Sequence, residues 1–206
     1  MIAIIDYGLG NLYSLACSLK QIGAAAEITN HPARIRAAQR LILPGVGAFG
    51  DAMARLNQSG LTPLLQDEAA RGKPLLGICL GMQLLFSEGF EYGHHQGLGL
   101  ISGGMYALAE DLAQAGLNLK TPHMGWNSLD IHKPDCPLLR YTKAGAYMYF
   151  VHSYYGKGCQ SALAATAHYG LDIPPLVWQE QILGCQFHPE KSGAAGLDIL
   201  RAFTEM

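Results

Sequence analysis

The chain has 206 residues, of which 50% are hydrophobic and 15% are charged, and its formal net charge is −2. This length and apolar content suit a single domain, residues 1–206, with a sizeable core. Near-neutral charge and the lack of Lys or Arg runs exclude nucleic acid and anionic membranes as expected partners. The charged fraction is below the roughly 25% of an average globular domain, which favours a partner protein over part of the apolar surface.

The five cysteines are odd in number, scattered and without a CxxC pair. A disulfide framework or a zinc ribbon is therefore not expected, and a reducing cytoplasm is the expected compartment. The first five residues are apolar but meet Asp6 at once and lack a basic lead. They predict a first strand and not a signal peptide.

In the first half of the chain, short apolar strands alternate with segments of helical spacing. Strands are predicted at residues 2–6, 25–29, 40–43 and 74–76. Helices are predicted at residues 12–22, 51–56 and 64–71 and again from residue 82. This alternation predicts an α/β fold, a doubly wound and mostly parallel sheet with helices on both faces.

The second half has many strand candidates and few helices between them. The candidates are residues 98–101, 105–108, 128–131, 146–151, 162–167, 175–179 and 182–186, followed by a last helix at 194–203. Strands that follow one another without crossover helices pair in the antiparallel sense. We therefore expect an antiparallel patch in this half.

The most informative motif is Gly-Ile-Cys-Leu-Gly at residues 77–81, between an apolar strand and a predicted helix. A nucleophile flanked by glycines at a strand-to-helix turn is typical of a nucleophile elbow. Cys79 would gain thiolate character at the start of a helix. The alternative is a buried structural cysteine beside two packing glycines.

A cysteine nucleophile needs a base, and the chain offers eight histidines. His188 directly follows the predicted strand 182–186, at the end of a strand where active groups of open α/β sheets collect. Glu190 stands two residues further on and can orient the imidazole. Taken alone, this pair is more typical of a surface loop, but together with the Cys79 elbow it predicts a catalytic triad.

Acyl transfer also needs donors for the oxyanion. The segment Leu-Pro-Gly-Val-Gly at residues 43–47 ends another predicted strand and is flexible at both glycines. Its backbone N–H groups, with that of Leu80, can face the oxyanion. The alternative is an ordinary Pro-Gly turn.

These blocks, LPGVG at 43–47, GICLGMQ at 77–83 and GCQFHPEKS at 184–192, together resemble the class I, triad-type glutamine amidotransferases. Three more blocks narrow the resemblance: IIDYGLGNL at 4–12, PHMGWN at 122–127 and YFVHSYY at 149–155. Within the family they are similar to the glutaminase subunits of imidazole glycerol phosphate synthases, along essentially the whole chain.

The resemblance implies a role for each matching position. Cys79 would be the nucleophile, His188 the base and Glu190 its orienting partner. The oxyanion region would be formed by Val46, Gly47 and Leu80. The glutamine pocket would include Gly47, Gln83, Ser153 and Tyr154, with Glu91 on the substrate's amino group. The residues facing a partner subunit would be Met124, Trp126, Tyr149 and Lys191.

The family implies that L-glutamine is hydrolysed through a cysteine thioester, without metal or cofactor. The ammonia would pass to a TIM-barrel cyclase subunit, bound as a heterodimer, which forms imidazole glycerol phosphate and AICAR in histidine biosynthesis. The alternatives are the glutaminase subunit of an anthranilate, aminodeoxychorismate, GMP or pyridoxal phosphate synthase, a γ-glutamyl hydrolase, and an inactive binding module. The PHMGWN block argues against the other synthases, and the intact triad argues against the inactive module.

Overall fold

A computed structural model describes residues 1–206. The strands of the first half are β1 (Ile2–Ile5), β2 (Ala26–Thr29), β3 (Arg40–Gly45) and β4 (Leu75–Cys79). The helices between them are α1 (Leu12–Gln21), α2 (Pro32–Ala37), α3 (Phe49–Gln58) and α4 (Leu61–Ala70). The strand and helix alternation predicted for this half is thus present, and α2 is an addition that the sequence pattern did not indicate.

The second half begins with α5 (Leu80–Leu84), β5 (Phe86–Gly89), β6 (His95–Gln96), β7 (Ile101–Ala107) and α6 (Leu108–Gln114). It continues with β8 (His123–Ser128), β9 (Asp130–Ile131), β10 (Tyr147–His152), β11 (Tyr154–Lys157), β12 (Leu163–Tyr169), β13 (Leu171–Gln179), β14 (Ile182–Cys185) and α7 (Gly193–Thr204). Two 3-10 turns cover Pro137–Leu139 and Pro189–Lys191. No helix combines the length and the apolar content that crossing a membrane would require.

The main sheet has eight strands in the order β2-β1-β3-β4-β14-β13-β12-β9. The neighbours from β2 to β14 are all parallel. From β14 onward, the pairs with β13, β12 and β9 are antiparallel. The prediction of a mostly parallel sheet with an antiparallel patch in the second half is confirmed.

Helices cover both faces of this sheet because its central strands are apolar on both sides. In β1, Ile2 and Ile4 face the core that α1 and α7 complete, while Ala3 and Ile5 face the core beneath α2, α3 and α4. All four side chains are nearly or fully buried. The near-continuous apolar runs of β1, β3 and β4 follow from this two-sided burial.

The segment after α5 differs from the sequence prediction. The helix expected from residue 82 begins at Leu80 and ends at Leu84, and Phe86 already starts β5. The N–H groups of Leu98 and Leu100 donate to the carbonyls of Leu84 and Leu85, both at 2.8 Å. These tertiary hydrogen bonds stop the helix, and they also occupy residues 98–100, so that the strand predicted at 98–101 starts only at its last residue, in β7.

Two smaller sheets lie beside the main one. One has the order β11-β7-β5-β6, and the other is an antiparallel pair of β8 and β10, which we call the β8–β10 hairpin although β9 lies between the two strands in sequence. In the hairpin, Trp126 pairs with Tyr149 and His123 pairs with His152 in antiparallel register. The sequence pattern predicted β10 but missed β5, β6, β11 and nearly all of β8, because these short strands carry glycines and polar residues on their faces.

Candidate active site

The thiol of Cys79 sits at the last residue of β4, where the chain turns into α5. Its φ is 55°, which is strained for a residue with a side chain. The flanking glycines are required by close backbone contacts: a Cβ on Gly81 would lie 1.7 Å from the Leu43 carbonyl oxygen. A Cβ on Gly77 would lie 2.6 Å from the Gly81 carbonyl oxygen. The structure therefore has the elbow geometry that the Gly-x-Cys-x-Gly sequence predicts.

The helix that follows Cys79 has only five residues. A helix terminus acts mainly through the N–H groups of its first turn, and this turn directly follows Cys79, as the sequence predicts. The structure also places the His188 imidazole beside the sulfur.

The candidate base His188 follows β14, the strand that pairs with β4. Its Nδ1 lies 2.8 Å from Oε1 of Glu190, and both side chains are almost fully buried. Burial alone would lower the pKa of His188, but the contacts with Cys79 and Glu190 outweigh it and raise this pKa to about 9. At neutral pH the His188 imidazole is therefore protonated and able to donate a proton beside the Cys79 sulfur.

A cavity of about 300 Å³ opens in front of Cys79 and His188. It is lined by Val46, Gly47, Cys79, Leu80, Gln83, Glu91, Pro122, Val151, His152, Ser153, Tyr154 and His188. Every residue that the sequence assigns to the nucleophile, the base, the oxyanion region and the glutamine pocket is among them. Glu190 stands behind His188, outside this cavity.

The candidate oxyanion segment lies between β3 and α3 and is held at both ends. The Tyr7 hydroxyl donates to the Pro44 carbonyl at 2.9 Å, and Glu91 Oε2 accepts the Phe49 N–H at 2.7 Å. Between these two points, the N–H groups of Val46 and Gly47 donate no hydrogen bond within the chain. Two such amides on the wall of a cavity are suited to receive an anion.

The Glu91 carboxylate thus accepts a hydrogen bond from the Phe49 N–H, although the sequence assigned it to the substrate's amino group. Its carboxylate also lines the cavity, so both contacts are compatible with its position. Burial raises the pKa of Glu91, while the Phe49 N–H and His95 oppose this rise.

Gln186 is a residue of the site that the sequence reasoning missed. It is 1% exposed, its Nε2 lies 3.9 Å from the Cys79 sulfur, and its Oε1 accepts a hydrogen bond from Gln83 at 3.0 Å. Gln83 Nε2 also lies 3.3 Å from the Tyr154 carbonyl. A polar residue directly after an apolar run and two residues before His188 was the signal in the sequence that could have indicated it.

The second thiol near the site, Cys185, has a different environment from Cys79. It is completely buried, and this burial raises its pKa well above that of a free thiol. All five cysteines are free thiols. No three or more His, Cys, Asp or Glu side chains converge on a point that could hold a metal ion.

The expected partner-facing residues lie on and beside the β8–β10 hairpin. Met124 and Trp126 are 61% and 56% exposed, so Trp126 does not belong to the core. Tyr149 packs edge-on against Trp126 with ring centroids 6.0 Å apart, and Lys191 is exposed three residues after His188. Tyr147, which the sequence reasoning did not select, is 61% exposed on the same side of the hairpin. We call Met124, Trp126, Tyr147 and Tyr149 the outer hairpin face.

Comparison with known families identifies the family to which the chain belongs. The family model for class-I glutamine amidotransferases matches residues 3–205. The chain therefore belongs to the class I glutamine amidotransferase family.

Curated relatives define the group more closely. The chain is 51% identical to the imidazole glycerol phosphate synthase subunit HisH of Bacillus licheniformis and 49% identical to that of Bacillus subtilis, over 100% of this chain and 96% of each relative. It is 46% identical to the HisH subunit of Syntrophotalea carbinolica over the full length of both chains. Within the amidotransferases, the chain belongs with the HisH subunits.

Solved structures share the fold at much lower identity. A crystal structure of a glutamine amidotransferase aligns with a TM-score of 0.76 at 18% identity, covering 100% of this chain and 98% of the other. The structure of PurLQS from Thermotoga maritima aligns with a TM-score of 0.75 at 16% identity, covering 99% and 97%. These likenesses concern the fold alone.

Proposed function

We propose that the chain is the glutaminase subunit of an imidazole glycerol phosphate synthase, which hydrolyses L-glutamine to glutamate and ammonia. The observation that carries this proposal is the Cys79 thiol at a strained elbow, beside a His188 imidazole that Glu190 holds at 2.8 Å. The full-length identity with HisH subunits supports the assignment to this synthase.

The arrangement supports a two-step acyl transfer. The Cys79 thiolate attacks the side-chain amide carbon of glutamine, and the backbone amides of Val46, Gly47 and Leu80 stabilise the oxyanion. The His188 imidazolium protonates the leaving nitrogen, which departs as ammonia and leaves a glutamyl thioester on Cys79. Neutral His188 then removes a proton from water, which attacks the thioester and releases glutamate and the thiol.

Glutamine would be oriented by the other cavity residues. Glu91 carries the negative charge that suits the substrate's amino group, and it projects from the segment that also holds the start of α3. The remainder of the substrate would contact the other lining residues Gly47, Gln83, Ser153 and Tyr154. Holding the amide carbon close to the sulfur supplies much of the rate advantage of such a site.

The partner would be a TIM-barrel cyclase subunit that binds as a heterodimer on the outer hairpin face and Lys191. Ammonia is protonated in bulk water, so a covered route from Cys79 to the acceptor is an advantage. Exposed aromatic and methionine side chains are enriched at the centres of protein interfaces. We place the complex in the cytoplasm, where the free thiol of Cys79 stays reduced.

The test is glutamine hydrolysis by the purified full-length chain, alone and with the cyclase subunit of the same organism. We expect the complex to form imidazole glycerol phosphate with ammonia derived from glutamine, and to release glutamate in a fixed ratio to that product. Hydrolysis that depends on an anthranilate, aminodeoxychorismate or pyridoxal phosphate synthase subunit instead would assign the chain to another synthase. No hydrolysis with any of them would overturn the proposal.

A further inference from the structure

Two buried histidines outside the proposed chemistry face each other across the β8–β10 hairpin. His123 and His152 are 3% and 5% exposed, and His123 Nδ1 lies 3.0 Å from His152 Nε2. Both belong to sequence blocks typical of the subfamily, and neither has a role in the reaction described above.

The hydrogen bonds of the pair determine where each proton sits. His152 Nδ1 lies 2.9 Å from the Tyr154 carbonyl, which can only accept, so Nδ1 carries the proton and Nε2 is an acceptor. His123 Nδ1 must then donate to that Nε2. This leaves His123 Nε2 as an acceptor, and Asn127 Nδ2 lies 3.3 Å from it. Each ring therefore carries one proton, on Nδ1.

The surroundings keep both rings neutral. His123 is stacked between Phe150 and Tyr169, with ring centroids 4.9 Å and 4.2 Å away. Burial lowers the pKa of His123 to about 4. Burial also lowers the pKa of His152 to about 3; the hydrogen bond to the Tyr154 carbonyl opposes this shift, while His123 and the charge on His188 add to it. A neutral His152 leaves His188 as the only imidazolium facing the cavity.

The hydrogen bonds continue from His152 to the nucleophile. The Tyr154 carbonyl that His152 holds is also within 3.3 Å of Gln83 Nε2. Gln83 donates to Gln186, whose own amide nitrogen faces the Cys79 sulfur. The Tyr154 carbonyl is thus a shared acceptor between the histidine pair and the amides around Cys79.

We propose that His152, held in its Nδ1-protonated form by His123, is a positioning residue for the Cys79 site. It fixes the Tyr154 carbonyl and, through it, the Gln83 and Gln186 amides beside the sulfur. The inference rests on the proposed glutaminase function and adds to it two residues that act through others and not on substrate.

The first test observes the protons directly. Nitrogen NMR of the full-length chain labelled with [15N]histidine distinguishes the two neutral tautomers from imidazolium. We expect the signals assigned to His123 and His152, by comparison with single substitutions, to show neutral rings protonated at Nδ1 from pH 5 to pH 8. A protonated Nε2 on His152, or titration of either ring within this range, would overturn the proposal whatever the activity of the chain.

The second test uses glutaminase kinetics of the complex with the cyclase subunit. His123→Phe keeps an aromatic ring in the stack but removes the donor to His152, and we expect kcat/KM to fall about tenfold, as for one lost net hydrogen bond. Tyr169→Phe is the control, since it keeps the stacked ring and loses only the hydroxyl contact with the Lys120 carbonyl. This control should stay within twofold of the wild type.

A rescue pair separates positioning from packing. His152→Asn keeps an N–H close to the position of Nδ1 and should retain more activity than His152→Leu by at least fivefold, at a temperature where both are folded. Equal activities of the two, or an unchanged kcat/KM in His123→Phe, would overturn the positioning role. A wild-type complex without glutamine hydrolysis would overturn the proposed function and this role with it, while the NMR result would still describe the pair.

Discussion

The N–H of His188 donates to the carbonyl of Tyr149 at 2.9 Å. Tyr149 belongs to β10 and contributes its ring to the outer hairpin face, whereas the side chain of His188 interacts with Cys79 and Glu190. The strand proposed to meet the cyclase subunit, β10, is therefore also hydrogen-bonded to the backbone of the candidate base His188. A displacement of β10 on docking would move the imidazole relative to the thiol.

Replacing Cys79 and Cys185 one at a time shows which of the two neighbouring thiols is the nucleophile. Cys79→Ala is expected to reduce glutamine hydrolysis by at least about 10³-fold, as when one member of a catalytic unit is removed. Cys185→Ala should keep hydrolysis within a few-fold and cost on the order of 1 kcal/mol of unfolding free energy, because a fully buried group is removed. The measurement is steady-state glutamate release in the complex. The reverse order of the two activities would contradict the assignment of Cys79.

The raised pKa of His188 predicts a pH-dependent contribution to stability. This pKa is about 9 in the folded chain and 6.5 for an exposed imidazole, so the protonated ring favours the folded state. The contribution is complete below pH 6.5 and is lost as the pH rises through about 9; its upper limit is about 3 kcal/mol.

Urea unfolding of the wild type and His188→Asn from pH 6 to pH 9.5 measures this contribution. The difference between their unfolding free energies should shrink as the pH rises. Packing changes at the substituted site do not vary with pH and cancel in this comparison. A constant difference would show that the imidazole has an ordinary pKa in the folded chain.

Gly47 has a φ of +102°, and a Cβ added there would meet no heavy atom within 4 Å. Gly47→Ala would therefore introduce strain in the oxyanion segment without a clash, and the segment should leave the conformation that exposes its amides. We expect kcat to fall about 10² to 10³-fold, the effect of losing one oxyanion donor.

Gly72→Ala is the matched control for Gly47→Ala. Gly72 also has a positive φ, of +79°, and open space around it, but it lies on a turn after α4. Its replacement should cost stability of about 1 kcal/mol and leave kcat unchanged. A similarly small effect on kcat in both variants would contradict the assignment of Gly47 to the oxyanion region.

Trp126 is exposed in the isolated chain, so its removal should affect association and not folding. Trp126→Ala is expected to weaken binding of the cyclase subunit by about 2 kcal/mol or more, roughly 30-fold in Kd, as for an aromatic anchor. Ile28→Ala provides a control, since Ile28 is 40% exposed on β2 at the far edge of the main sheet. Titration calorimetry gives both Kd values, and equal values would place the interface elsewhere.

Glu91→Gln keeps an acceptor for the Phe49 N–H but removes the negative charge. We expect KM for glutamine to rise about tenfold, with kcat changed less than about threefold, because a charge contact with the substrate's amino group is made before and during the reaction. Glu88→Gln, which loses only an exposed pairing with His94, should change neither constant. An unchanged KM in Glu91→Gln would limit Glu91 to its backbone contact.

The sequence predicted the parallel half of the fold because β1, β3 and β4 bury both faces and are apolar throughout. It predicted Cys79, His188 and Glu190 as one set because each lies at or just after a strand end. It missed α2 because six residues with one buried side chain, Ile35, show no helical period. The sequence could not predict the contact of Gln186 with Cys79 or the pairing of His123 with His152, because these contacts join residues 107 and 29 positions apart, which no local pattern contains.

The two faces of the β8–β10 hairpin differ in the side chains that they present. On the outer side it exposes the aromatic and methionine side chains proposed to meet the partner subunit, and on the inner side it buries those of His123, Phe150 and His152. An engineer who wished to redirect the ammonia to a different acceptor enzyme would want to rewrite only the outward residues. Because side chains alternate along each strand, a transplanted hairpin shifted by one residue would turn the partner-facing side chains inward and the buried side chains outward. Redesign of partner choice in this chain must therefore preserve strand register before it optimises any contact.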